Sequence, residues 1–405
     1  MNFLKSAYRF LGRLEGFAIA TVLLVLYLVL IVAAPAVFTR PMIYFSFLET
    51  VPPTLIAALG LTLVITAGEI DLSFPAVVSL SGFALAWGWK TFDPAYCAVI
   101  GIILALAAGA LVGYINGLMV ARIGVPSIMA TLAANFFWYG ISILLAGGLQ
   151  QTLRGSDENF VHELLVGRPF WGIPLQALWS LVLAVFLWFI LNRHKFGESV
   201  MFIGDNANVA RVMGVNVEAT RIRLFTLHGI IAAFSGIVLT LNIGVFYPNQ
   251  GNYLLPAMAS VFVGGTSIAG GAGSIFGTFF GSYVIGSLEA GVVATTISGY
   301  WVQVVEGGVM AAVVVLNAAT GKGDFASLFS RFRHKEGVQE SRSSGVQAVA
   351  EWIFGSLLLG FQILTILHLT RALQFSLLNF SATARSALRR LLLKFHARQP
   401  VGMLL

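Results

Sequence analysis

Leu224-Phe-Thr-Leu-His-Gly-Ile-Ile-Ala-Ala-Phe-Ser-Gly-Ile-Val-Leu-Thr-Leu-Asn-Ile-Gly-Val-Phe246 contains no Asp, Glu, Lys or Arg, and the charge-free run continues to Leu288. A membrane-spanning helix needs about 20 apolar residues, so this run is too long for one span. Tyr247-Pro-Asn-Gln-Gly-Asn-Tyr253 and Gly264-Gly-Thr-Ser-Ile-Ala-Gly-Gly-Ala-Gly-Ser274 divide it. The division predicts helices near 224–246, 254–268 and 275–295. The middle one is short and opens on Leu255-Pro256, which reads as a broken or re-entrant helix. Such backbone is tolerated at membrane depth only inside protein or beside a water-filled cavity.

The rest of the chain has the same character. Of 405 residues, 58% are hydrophobic and only 10% charged, against about 25% charged in a soluble domain. So few charges cannot cover a globular surface, which puts the chain in the membrane class. The 43 glycines suit helices that approach closely in lipid. Cys97 stands alone, which excludes an internal disulfide framework and a cysteine-based zinc site. The net charge of +7 comes from cations scattered between apolar runs. That pattern speaks for membrane orientation, not nucleic-acid binding.

Further spans are predicted near 16–38, 50–68, 72–89, 94–120, 126–148, 172–191 and 298–318. The first follows Lys5, Arg9 and Arg13, and Ala33-Ala34-Pro35-Ala36 faintly resembles a cleavage site. Residues 16–39 carry no charge, however, and exceed the apolar core of about 7–15 residues in a signal peptide. A retained first helix is the expectation.

Alternating from a cytoplasmic N-terminus puts Lys5, Arg9, Arg13, Arg122, Arg193, Lys195, Arg211, Arg221, Arg223, Lys322, Arg331, Arg333 and Lys335 inside. Through residue 335, only Arg40, Lys90, Arg154 and Arg168 fall outside. This bias supports an all-α, polytopic transmembrane bundle of about ten spans.

The longest internal polar connection is 192–223. Asp205 or Asn206 is placed to cap a short helix over about 207–213, and Gly214 to end it. Val209, Val212 and Met213 would share one face. A short amphipathic helix there suits docking into a partner protein or lying on lipid; the residues alone leave both open.

Gly204-Asp-Asn-Ala-Asn-Val-Ala-Arg-Val-Met-Gly-Val-Asn-Val217 resembles the coupling loop of permeases in ribose-, xylose- and galactose-type ABC importers. Gly68-Glu-Ile-Asp-Leu-Ser73 resembles that family's Gly-Gly-Ile-Asp-Leu-Ser, with Glu69 where the pattern has glycine. Asn116-Gly-Leu-Met-Val-Ala-Arg-Ile-Gly-Val-Pro-Ser-Ile-Met-Ala-Thr-Leu132 and Ala257-Met-Ala-Ser-Val-Phe-Val-Gly-Gly-Thr-Ser-Ile-Ala-Gly-Gly-Ala-Gly-Ser-Ile-Phe-Gly277 resemble two more of its stretches. The four come in family order across about 50–318.

The resemblance implies a membrane domain over 1–319, used as a pair: a second permease copy, identical or a sister chain. A separate ATP-binding cassette ATPase would dock beneath, holding ATP and Mg, and a periplasmic binding protein would deliver the sugar. The coupling residues would be Gly204, Asp205, Asn206, Asn208, Val209, Ala210, Arg211, Val212 and Gly214. The chain itself has no Gly-x-x-x-x-Gly-Lys-Ser/Thr, the phosphate-cradling loop of such ATPases. The glycines of 264–277 therefore read as tight packing around a turn.

Ionisable residues inside a membrane are functional candidates by default. The structural signature comprises Glu69, Asp71 and Ser73, with Gly264, Gly265, Thr266, Gly270, Gly271 and Gly273. Asp71 is placed to cap the next helix, completed by Ser73, and Glu69 to do likewise or to pair with a cytoplasmic Arg. His228 reads as a helix–helix hydrogen bond in preference to a proton relay. Glu289 fits pairing as well as substrate contact. Glu306 stands where the family often has a basic residue. Asn116, Asn135, Phe136, Trp138 and Gln303 offer the amides and aromatic faces a sugar pathway needs. No metal set and no catalytic constellation is expected, so the chain does not read as an enzyme.

Residues 320–405 form a second region. A polar linker leads to an apolar run over about 346–370, and 382–396 read as a basic amphipathic helix suited to an anionic membrane surface. A cytoplasmic, membrane-associated tail is expected, with an eleventh span as the alternative. The reading is an ATP-driven import permease of a bacterial inner membrane. The competing reading is an ion-coupled transporter acting alone, which would recruit Glu69, Asp71, Glu289 and Glu306.

Overall fold

The computed structural model describes residues 15–169, 171–251, 253–294, 301–304 and 307–311. The expected tail over 320–405, most of the helix expected over 298–318, Glu306 and the cations Lys5, Arg9 and Arg13 lie outside the described residues.

Helix α1 covers Phe17–Ala33 and α2 Pro35–Phe38. Helix α3, Pro41–Thr50, runs into α4, Pro52–Thr66, with a bend of 49°. Pro35, Pro41 and Pro52 each open a helix, where the missing N–H is not needed. Pro52-Pro53 also accounts for the bend, since proline removes a ladder donor and crowds the carbonyl four residues back. The chain continues through α5, Phe74–Thr91, and α6, Cys97–Leu118, which a π-turn over Met119–Ile123 extends. Then come α7, Ser127–Ala146; α8, Phe160–Val166; and α9, Leu175–Arg193. Helices α10, Lys195–Val212, and α11, Val217–Ile243, come next. Helix α12, Leu254–Val263, and α13, Ile275–Ala294, close the bundle. The strands among the described residues are β1, Gln151–Thr152, and β2, Val245–Phe246, paired antiparallel.

The all-α membrane bundle is borne out. Among the described residues, five helices are long and apolar enough to cross a membrane, and the bent α3–α4 pair makes six. At ten residues and about 1.5 Å per residue, α12 reaches only halfway across a hydrocarbon core of about 30 Å. The connection before it enters the bundle instead of skirting it. Gln250 is buried and donates to Thr240 Oγ1 at 2.8 Å, and Gly251 packs on Val78. The short helix predicted near 254–268 is thus present and ends at Val263.

Two expectations change. Most of the polar connection over 192–223 is helical, because Val200 and Ile203 share a buried face with Gly197 at helical spacing. Helix α11 begins seven residues earlier than expected, at Val217, where Asn216 Oδ1 accepts from the Ala219 amide at 2.9 Å. Its charged first turns look like a loop in a hydropathy reading but continue the helix.

Helix α11 is the central element, 72% buried over its membrane window, whereas α7 is 22% buried and peripheral. Gly109, Gly113 and Gly117 of α6 face α11 along one stripe. A methyl on Gly109 or on Gly229 would overlap the other's carbonyl oxygen. Small residues four apart bring the two backbones into contact, which replaces the hydrophobic drive that lipid removes.

Pairings at the two ends agree with the alternating topology. At the cation-rich end Arg122 pairs with Glu218 at 2.6 Å, and Asn192 donates to Glu15 at 3.3 Å. At the other end Arg168 pairs with Glu49 at 2.6 Å, and Trp89 Nε1 donates to the Arg154 carbonyl at 3.1 Å.

Candidate coupling site and buried polar network

The segment expected to couple is a helix, a break and a second short helix. The break is Asn206, whose φ of −163° and ψ of 105° are extended. Its Oδ1 accepts from the amides of Asn208 at 3.0 Å and Val209 at 3.2 Å. Asparagine thus supplies the acceptor that a helix start lacks. The far end is a Schellman turn. Val215 N–H reaches the Ala210 carbonyl and Gly214 N–H the Arg211 carbonyl, both at 3.0 Å, while Gly214 has φ +87°.

This helix has two faces. Ala210 is buried with Ile203 and Val217. Val209, Val212 and Met213 are exposed, Val212 by 90%. The same-face expectation for those three holds. Arg211 Nη1 donates to Asn208 Oδ1 at 2.9 Å across one turn. The result is a firmly capped helix, a knob that turns apolar side chains outward at the cation-rich end.

Its root is held in a junction of glycines. The Gly271 amide donates to the Thr66 carbonyl at 2.8 Å. A methyl on Gly204 would overlap that carbonyl oxygen and the Gly271 nitrogen. A methyl on Gly270 would come within 2.9 Å of both Gly68 Cα and the Gly204 carbonyl oxygen. Asp205 packs on Gly271, and Thr66 Oγ1 fills the space a side chain at Gly273 would need. Gly68, Gly265, Gly270 and Gly271 all have positive φ, where only glycine is comfortable. Gly264 packs on Thr278, and the buried Thr266 accepts from the Ser274 amide at 3.4 Å. The tight-turn reading of the glycine-rich stretch is therefore what the geometry contains.

The turn 66–73 joins this junction to a buried network. Arg221 Nη2 pairs with Glu69 Oε1 at 2.7 Å, the Arg partner expected for Glu69. Asp71 Oδ1 accepts from the Ser73 amide at 2.7 Å and the Ser73 hydroxyl at 2.6 Å. This turn leads into α5, but Ser73 gives its hydroxyl to Asp71 and makes no side-chain cap. Asn116 Nδ2 donates to Ser73 Oγ at 2.7 Å. His228 Nε2 stands 3.7 Å from Asp71 Oδ2, too far for a hydrogen bond. The Ile70 and Leu72 amides reach Ser127 Oγ at 3.2 Å and Thr131 Oγ1 at 3.0 Å on α7.

The candidate coupling and signature residues thus meet, whereas the pathway candidates differ in burial. Asn116 is fully buried beside Ser73, with its Oδ1 unpartnered. Asn135 and Trp138 are half-buried, while Phe136 and Gln303 are exposed. Glu289 is also exposed on α13. Sequence reasoning did not single out Arg221, Ser127 and Thr131 as site residues. Their signals are a cation in the first turns after the coupling segment and two hydroxyls four residues apart.

A family model described as branched-chain amino acid transport system / permease component matches residues 43–314. The ribose import permease protein of Bacillus subtilis (strain 168) is 32% identical over 283 residues, 69% of this chain and 86% of that protein. The D-allose transport system permease protein of Escherichia coli (strain K12) is 31% identical, covering 66% of this chain and 81% of its own length. The xylose transport system permease protein of Haemophilus influenzae is 28% identical, covering 65% of this chain and 86% of its own length. With the apolar bundle and the ordered motifs, these matches make the chain a member of that permease family, a multi-pass inner-membrane component of a bacterial ABC importer.

Proposed function

We propose that this chain forms the membrane pathway for a sugar or a related small polar molecule. A separate ATPase, carrying ATP and Mg, would grip the helix 207–213, and a periplasmic binding protein would deliver the solute. A second permease copy would complete the pathway within the lipid. The observation that carries the reading is the capped helix with Val209, Val212 and Met213 exposed at the cation-rich end. A free-standing transporter has no need of such a knob. The names of the ribose, allose and xylose relatives support the solute class.

The test is recovery of the tagged chain from native membranes in mild detergent, with mass spectrometry of the eluate. A copurifying ATPase with a phosphate-cradling loop is the expected result, and a copurifying binding protein then identifies the solute. Recovery of the chain alone, with uptake driven by an ion gradient, would overturn the reading.

A further inference from the structure

The turn 66–73 is gripped from two sides, by the coupling segment and by the start of α11. At its first residues, Gly204 lies against Thr66 and Gly68. At Glu69 it is held by Arg221, from the first turns of α11. The same turn hangs on α7 through Ser127 and Thr131. It is therefore a piece of backbone that contacts both the knob's root and a peripheral span.

The ion pair is the chemically distinctive grip. The Glu69 and Arg221 side chains are only 9% and 22% exposed, so solvent screens the pair poorly. Arg221 Nε is buried without a partner, so Glu69 carries the recognition of that guanidinium. Removing one partner, or drawing the two apart, would strand a charge in a dry place, whereas moving the two together keeps the pair intact. A pair of this kind makes two segments travel as one.

We infer that Glu69 and Arg221 are positioning residues for transport: their ion pair makes the turn 66–73 move with the start of α11, which follows the coupling helix directly in the chain, so that movement at the knob reaches α7. This rests on the importer reading above. The glycine junction supplies close contact with the coupling segment, and the pair supplies the pull when the start of α11 moves away.

The test uses the full importer reconstituted in vesicles with its ATPase and binding protein. Hydrolysis stimulated by the loaded binding protein in the parent establishes the importer reading by itself; its absence overturns that reading and the link with it. Given stimulation, Glu69→Gln and Arg221→Gln are each expected to keep the ATPase bound and hydrolysing. Solute moved per ATP should fall about tenfold, within the usual range of coupling between sites. The exchanged Glu69→Arg/Arg221→Glu form should recover most of that ratio, the non-additivity expected of a direct pair. Should a single variant fail to reach the membrane, the doubly neutral Glu69→Gln/Arg221→Gln form strands no charge and should be uncoupled. Unchanged coupling in the single or doubly neutral forms overturns the link. A loss that the exchange does not restore overturns the pairing, since it reflects a structural need for the individual side chains.

Discussion

Gly204 lies against the carbonyl oxygen of Thr66 with no space for a side chain between them. The neighbour is backbone on both sides, so nothing flexible can move aside. Gly204→Ala should cost about 1–3 kcal/mol through overpacking. It is expected to lower the Tm of the detergent-purified chain and to reduce uptake, while a substitution at the open Gly140 should do neither.

Gly214 has free space around it but a φ of +87°, so strain alone opposes a side chain there. A left-handed residue costs roughly 1–2 kcal/mol for most side chains, and asparagine tolerates it best. Gly214→Val should undo the turn that ends the knob and reduce ATPase recovery strongly, with insertion unchanged. Gly214→Asn should be intermediate. Quantitative pull-down of the ATPase from cells expressing each form is the measurement.

Val212 is the most exposed apolar side chain of the knob. Val212→Asp should change stability by no more than about 0.5 kcal/mol, as for other surface positions, yet weaken ATPase capture. Arg211→Glu should likewise uncouple hydrolysis from uptake without preventing insertion. Normal uptake in both would show that the ATPase docks elsewhere.

Asp71 is the acceptor for two Ser73 donors inside the protein. Asp71→Ala leaves both unsatisfied, at about 1–3 kcal/mol for each buried group, and should cut the yield of folded protein in size-exclusion profiles. Asp71→Asn retains an acceptor and should be milder. An equal loss for both would point to the carboxylate charge itself.

The spans were readable because a bilayer forbids charge directly, so gaps in Asp, Glu, Lys and Arg mark helices. The same rule misread 195–205 and 217–223. A helix that leaves the hydrocarbon regains its charges and resembles a loop. The bend between α3 and α4 had a local signal in Pro52-Pro53 that hydropathy ignores. At the site, Gly214 was identifiable, and Asn206 as one of two neighbouring cap candidates with Asp205, because caps act within a few residues. The grip of Arg221 on Glu69 spans distant segments, and sequence could offer it only as one of two partners. The pathway candidates were selected by side-chain type alone. Type does not tell which face of α6 or α7 looks outward, and that is why Asn116 on α6 is buried while Phe136 on α7 is exposed.

Gly68, Gly204 and Gly270 come from three remote parts of the chain and meet at one point. Most tight contacts in a protein can drift, because an enlargement on one side is answered by a reduction on the other. No residue is smaller than glycine, so none of these three positions can yield to a change at its neighbours. The junction has no mutational slack. A lineage that lost one of these glycines could recover only by moving whole helices, and recombination that brings these segments together from different relatives must supply all three at once.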